Sequence, residues 1–176
     1  RPPRSTLFPY TTLFRSELSA QSRQLFESGL AHYRSLLSKV NKHPMEGEIY
    51  LGMARSMKSL GRAKEALALI KSIQHRSFQN KTNFHLALMR GDLEFSLSNA
   101  HGAKAAYDEA TRYVVAGSNE EMYLTYKKAW ALYNLKDTDE ALNLLKKVIE
   151  ANRDRLALAQ EAVQDYSLFA PDLSTA

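Results

Sequence analysis

The chain contains no cysteine. Disulfide cross-links, thiolate metal sites and cysteine nucleophiles are therefore excluded, while the compartment is left open. Glycine and proline are sparse, with seven and five in 176 residues. β-branched runs are scarce too, and the one at Tyr113-Val114-Val115 is short, so a sheet has little to be built from. No stretch approaches the roughly 18 apolar residues of a membrane span. No Gly-rich phosphate loop, G-x-S-x-G or H-E-x-x-H occurs, which removes the common nucleotide, hydrolase and zinc-protease patterns. The histidines (His32, His43, His75, His85 and His101) show no H-x-x-x-H pairing. No metal, no cofactor and no catalytic residue is expected. Glu120 with Glu121, and Asp137 with Asp139, fall at helix starts, where the macrodipole favours negative charge, and read as caps rather than as an acid–base pair. Asn80-Lys81-Thr82 matches a glycosylation sequon, a tripeptide common by chance.

The opening segment, RPPRSTLFPYTTLFRS, is unlike everything after it. It holds Pro2, Pro3 and Pro9, three arginines, five Ser/Thr and no acid. A secretory signal needs an apolar stretch of roughly seven or more residues, and the longest apolar runs here are the pairs Leu7-Phe8 and Leu13-Phe14. Arg1, Arg4 and Arg15 with Phe8, Tyr10 and Phe14 have the composition of a base-stacking arm. Back-translated, however, all sixteen residues resemble a common short-read sequencing adapter. Residues 1–16 are accordingly set aside as artefactual and not expected to be ordered, and the natural N-terminus is expected to be missing. The arginines Arg1, Arg4 and Arg15 supply three of the five net positive charges, so the rest of the chain carries about +2. That near-neutral balance argues against nucleic acid as a partner.

From Glu17 onward the apolar spacing is helical, interrupted at NKHPMEGE (41–48), SLGR (59–62), SNAHG (98–102), AGSNEE (116–121) and LKDTD (135–139). Gly117 followed by Ser118-x-x-Glu121 reads as a glycine stop and then a capping box. Pro44 suits the first turn of a helix. The helices share one register. A small residue recurs at Ala54, Gly91 and Ala129, and a second twelve positions later at Ala66, Ala103 and Ala141. Bulky residues follow at Ile70, Tyr107 and Leu145, and then come Ile73, Ala110 and Val148. The period is 37 and then 38 residues. Small residues facing each other allow two helices of a hairpin to approach, and larger ones fill the groove to the next hairpin. A single hairpin cannot bury its apolar face, so such units must stack.

This pattern resembles the tetratricopeptide repeat, on the strength of EIYLGMARSMKSLGRAKEALALIKSI (48–73) and YLTYKKAWALYNLKDTDEALNLLKKVIE (123–150), the latter similar to repeats of bacterial proteins. The period is longer than the usual 34, the proline after the second helix is absent, and Lys128 stands where leucine is usual. The resemblance implies an all-α, right-handed solenoid of antiparallel helical hairpins. Its parts would be a partial repeat at 17–43, whose second helix carries Gly29, Tyr33 and Leu36, full repeats at 45–80, 82–117 and 118–153, and a terminal helix and tail at 154–176. It also implies a fragment of a bacterial protein, with cytoplasm and periplasm both open.

Tyr123, Tyr126, Trp130 and Tyr133 are spaced 3, 4 and 3 and share one helix face. Aromatic stripes at this spacing are commonly core. The repeat register instead implies that they line a concave groove, together with Leu88, Phe95, Arg55 and Lys58; partial burial with exposed edges satisfies both. Lys127 and Lys128 read as a solvated flank. The implied function is a non-catalytic scaffold that binds a protein or peptide in that groove. The competing class is the repeat region of an enzyme or regulator whose catalytic or DNA-binding domain lies upstream. Self-association through the apolar N-terminal face is also expected.

Overall fold

A computed structural model of the chain describes residues 19–39, 43–151 and 156–170. The adapter-like residues 1–16 lie outside them. Among the described residues the secondary structure is helical and contains no strand. The helices are α1 (Ala20–Lys39), α2 (Glu46–Ser59), α3 (Ala63–Ser72), α4 (Asn80–Ser96), α5 (Ala100–Ala110), α6 (Asn119–Asn134), α7 (Thr138–Ala151) and α8 (Leu156–Phe169).

Side chains set several of the starts. The Ser22 amide donates to Ser19 Oγ at 3.1 Å ahead of α1, and the Gly102 amide to Asn99 Oδ1 at 3.0 Å ahead of α5. At α6 the Glu121 amide donates to Ser118 Oγ at 3.2 Å. The Glu121 carboxylate in turn accepts from the Gly117 amide at 2.7 Å. The serine half of the capping box is thus present, but the carboxylate takes the Gly117 amide in place of the Ser118 amide, which donates to the Val115 carbonyl at 3.1 Å. Two details differ from the sequence reading. Helix α5 ends at Ala110, so Gly117 is not its stop but a residue at φ 77° inside a longer link. Pro44 lies in the turn ahead of α2 rather than in its first turn.

The ends of α2, α4 and α6 repeat one device at the register period. Gly61, Ser98 and Lys136 take φ values of 77°, 62° and 69°. The next amide in each case reaches back into the last turn: Arg62 to the Met57 carbonyl at 2.9 Å, Asn99 to Glu94 at 2.9 Å and Asp137 to Leu132 at 3.0 Å. This left-handed cap satisfies carbonyls that have no helical partner. Only the first instance uses glycine. A side chain in that conformation costs roughly 1–2 kcal/mol, against roughly 0.5–1 kcal/mol of extra unfolded-state entropy for glycine. Lys136→Gly is therefore expected to raise stability by about 0.5 kcal/mol, seen as a higher urea midpoint at unchanged slope.

Helices pack as the pairs α2–α3, α4–α5 and α6–α7. Helix α4 also packs on α2 and α3, α6 packs on α5, α1 lies against α2, and α8 lies against α7 with a smaller contact to α6. The small residues of the register are buried where paired helices meet, with Ala54, Ala66, Ala103, Ala129 and Ala141 fully enclosed or nearly so. Ile70, Tyr107, Leu145, Ile73, Ala110 and Val148 are buried as well. Leu36, at the place in α1 corresponding to Ile73, is instead exposed. The core forms two clusters that meet in α4. One joins Leu30, Leu51, Ile70 and Leu93, and the other joins Phe84, Tyr107, Leu124, Trp130, Leu145 and Phe169.

Candidate partner-binding face

Lysines from α2 and α6 converge on one carboxylate of α4. Asp92 of α4 lies 3.5 Å from Lys58 Nζ of α2 and 3.2 Å from Lys127 Nζ of α6. The Tyr107 hydroxyl of α5 donates to Asp92 Oδ1 at 2.9 Å. The Asp92 and Lys127 side chains are only 15% and 12% exposed, so this pair is far less screened than a surface salt bridge. Burial alone would push the Asp92 carboxyl upward. The Lys127 and Lys58 charges and the Tyr107 hydrogen bond outweigh it and hold the group below the usual carboxylate range. Burial likewise opposes the charge on Lys127, and Asp92 together with Tyr123 more than restores it. Tyr107 is raised well above an ordinary phenol by burial and by the adjacent carboxylate, and so keeps its proton.

This arrangement corrects the reading of Lys127 as a solvated flank. Its spacing from Trp130 carries no sign of burial, because the carboxylate that draws it inward stands 35 residues earlier in the chain. Lys128 is also engaged, 2.6 Å from Asp108 Oδ1. Around the Asp92 node, Arg55 and Lys58 are exposed and Leu88 is half-buried. Tyr123 is 40% exposed, with Lys127 Nζ at 5.1 Å from its ring centroid, a cation–π geometry.

The remaining residues proposed for the groove sit elsewhere. Phe95, Tyr126 and Trp130 are buried in the core. The last two are covered by α8, where Asp165 Oδ2 accepts from the Tyr126 hydroxyl at 2.6 Å and from Trp130 Nε1 at 2.8 Å. Tyr133 is half-buried and stacks on Phe169 with centroids 3.8 Å apart and rings parallel to 1°. Phe169 meets Trp130 edge-on at 4.9 Å. The stripe therefore divides. Tyr123 is on the accessible face, Tyr126 and Trp130 are interior, and Tyr133 is at the border.

Asp92 and Asp165 are the organising acids; the repeat register places Asp92 among the groove positions without marking it as a node, and Asp165 does not stand out in the sequence. Asp92 holds the register position of Arg55 and Trp130, where the other two residues give no hint of a carboxylate. Asp165 precedes Phe169 by one helical turn, which is the sole local sign that the two side chains act together. Among the described residues no group of three or more His, Asp or Glu is arranged to hold a metal. No helix among them is long and apolar enough to cross a membrane. Comparison with protein-family models, curated proteins and solved structures yields no match for the chain.

Proposed function

We propose that the chain is a tetratricopeptide-type solenoid acting as a non-catalytic scaffold, which binds an extended segment of a partner protein across α2, α4 and α6. The observation that carries this reading is the Lys58–Asp92–Lys127 ladder. It ties α4 to α2 through Lys58 and to α6 through Lys127, and it leaves Arg55, Leu88 and Tyr123 at least partly accessible. Such a face offers a cation, an aliphatic surface and an aromatic ring in a row, which suits a peptide carrying both acidic and apolar side chains. Recurrence of the same positive-φ cap at 61, 98 and 136 supports the repeat assignment behind it. The outward Leu25 and Leu36 of α1 are large exposed apolar residues and form the surface for self-association in the same reading.

Peptides selected for binding to the full chain from a random display library test this. A triple variant Arg55→Ala, Leu88→Ala, Tyr123→Ala should lose at least tenfold in affinity for them. Lys146→Ala, on the exposed side of α7, should bind as the parent does. Equal binding by the triple variant, with its helical circular dichroism unchanged, refutes the assignment of this face.

A further inference from the structure

Two links between helix pairs occupy equivalent places in the register and are filled differently. After α3, Arg76 forms a two-pronged ion pair with Glu46, both contacts at 2.7 Å. Phe78 lies directly on Gly47, where an added Cβ would come within 2.9 Å of the Phe78 ring. Glycine leaves room for that ring at the start of α2, and the cleft beside it, of about 640 Å³, is lined by His43, Glu46 and Arg76, two of them joined in the ion pair.

Thirty-seven residues later, Phe84 stands for Gly47, Val115 for Phe78 and Tyr113 for Arg76. The bulk at Phe84, itself buried, holds the second link off, and Val115 is left 74% exposed. Between them opens a cleft of about 470 Å³. Phe84, Tyr113, Val114 and Val115 provide its apolar walls, and Lys81 and His85 stand at its rim. Its size falls in the range of small-molecule sites, which combine apolar walls with a few polar groups.

The charges around the cleft are of both signs, Lys81 and Arg55 against Glu48 and Glu120. Lys81 is exposed and makes no salt bridge among the described residues, and the same holds for Arg55. His85 is held below its ordinary pKa first by burial, then by Arg55 and Lys81, with Glu48 and Glu120 pulling the other way. Glu120 also lines the cleft, which disfavours a multiply charged anion.

We infer that this cleft is a binding site for a monocarboxylate carrying a bulky apolar group, with the apolar group against Phe84, Val114 and Val115 and the carboxylate between Lys81 and His85. The source is either a free acid or the C-terminal residue of a peptide. A carboxylate placed there favours the imidazolium, so binding takes up a proton and tightens as pH falls through the His85 titration. The groups that set this dependence are Arg55 and Glu48 of α2, Lys81 of α4 and Glu120 of α6. The inference shares with the scaffold reading only Arg55, which acts here as a charge on His85 and not as a contact to the ligand, and Lys81→Gln leaves that face unchanged.

The test is a titration of the full chain with 3-phenylpropionate and with the tripeptide Gly-Gly-Phe, followed by NMR of the His85 ring and the Val115 methyls. Both signals should move with saturation, and the His85 pKa should rise on binding. The C-terminal amide of Gly-Gly-Phe and the variant Lys81→Gln should each bind at least tenfold more weakly. Tighter binding of the tripeptide assigns a peptide terminus, and tighter binding of 3-phenylpropionate assigns a free acid. Unmoved Val115 methyls at millimolar probe, equal binding of the amide, or an unaffected Lys81→Gln chain overturns the site. Lys81 is exposed, so Lys81→Gln leaves the fold intact, and far-UV circular dichroism checks this.

Discussion

Replacing Gly91 with alanine is expected to destabilise the chain by about 3 kcal/mol, as the balance of three effects. The Tyr107 ring lies so close to the Gly91 Cα that an added Cβ would overlap Tyr107 Cε1 and Cδ1. Tyr107 is fully buried, and its hydroxyl is held by Asp92 at 2.9 Å. The ring has no free space to retreat into without giving up that bond. Forcing an extra carbon into such packing costs on the order of 3 kcal/mol, and the lost hydrogen bond adds about 1 kcal/mol. Alanine's better helix propensity offsets about 1 kcal/mol, which is too little to change the sign. The other helix pairs indicate the remedy. Ala54 is combined with Ile70 and Ala129 with Leu145, so a beta carbon is tolerated where the opposing side chain is aliphatic. Gly91→Ala with Tyr107→Leu should accordingly recover more than half of the loss, a non-additivity expected of residues in contact. Urea unfolding of the parent, both single variants and the double variant measures it. A neutral Gly91→Ala would mean that the ring can move aside and that the Asp92 node is not rigid.

The small residues at Ala54, Gly91 and Ala129 were legible because their spacing is periodic, and a period survives without knowledge of the fold. The caps were legible only in part. Gly61 announces a left-handed residue, whereas Ser98 and Lys136 adopt the same conformation with no glycine to mark it. Their backbones are held there by the repeated pairing of the next amide with the preceding helix. The aromatic stripe shows the limit more sharply. Spacing of 3, 4 and 3 places four rings on one face of α6, but burial depends on what lies against that face. Tyr126 and Trp130 are enclosed by a helix that begins at Leu156, and Tyr123 is not. Charges behave similarly. Lys127 looks like any solvated helix lysine until α4 brings Asp92 to it. Local pattern thus specified helices and faces, and long-range contacts decided which faces are covered.

Asp165→Ala is expected to detach α8 and to lower stability by on the order of 3 kcal/mol. It strips two buried donors, the Tyr126 hydroxyl and the Trp130 ring N–H, of a shared acceptor, and each unpaired group costs about 1–3 kcal/mol. Trp130 is the one tryptophan in the chain, so its fluorescence reports the event directly as a shift to longer wavelength. The pH dependence separates this carboxylate from Asp92. Burial raises the Asp165 pKa, and the Tyr126 and Trp130 hydrogen bonds offset that only in part. The ionised form is therefore less favoured in the folded chain than in the unfolded one. Its contribution to stability is fully present below the ordinary carboxylate pKa and is lost as pH rises through the raised folded value. Asp92 has the opposite sign: its contribution is present above the ordinary carboxylate pKa and is lost as pH falls through its lowered folded value. Mild acidification from neutrality should thus tighten the docking of α8 before it weakens the Lys58–Asp92–Lys127 ladder. Asp165→Asn keeps a neutral acceptor for both donors and removes the titration. That variant should hold α8 at neutral pH at least as firmly as the parent, with Trp130 emission flat across the window in which the parent's changes. An Asp165→Asn chain that loses α8 as fully as Asp165→Ala would show that the negative charge, and not the pair of hydrogen bonds, secures the helix.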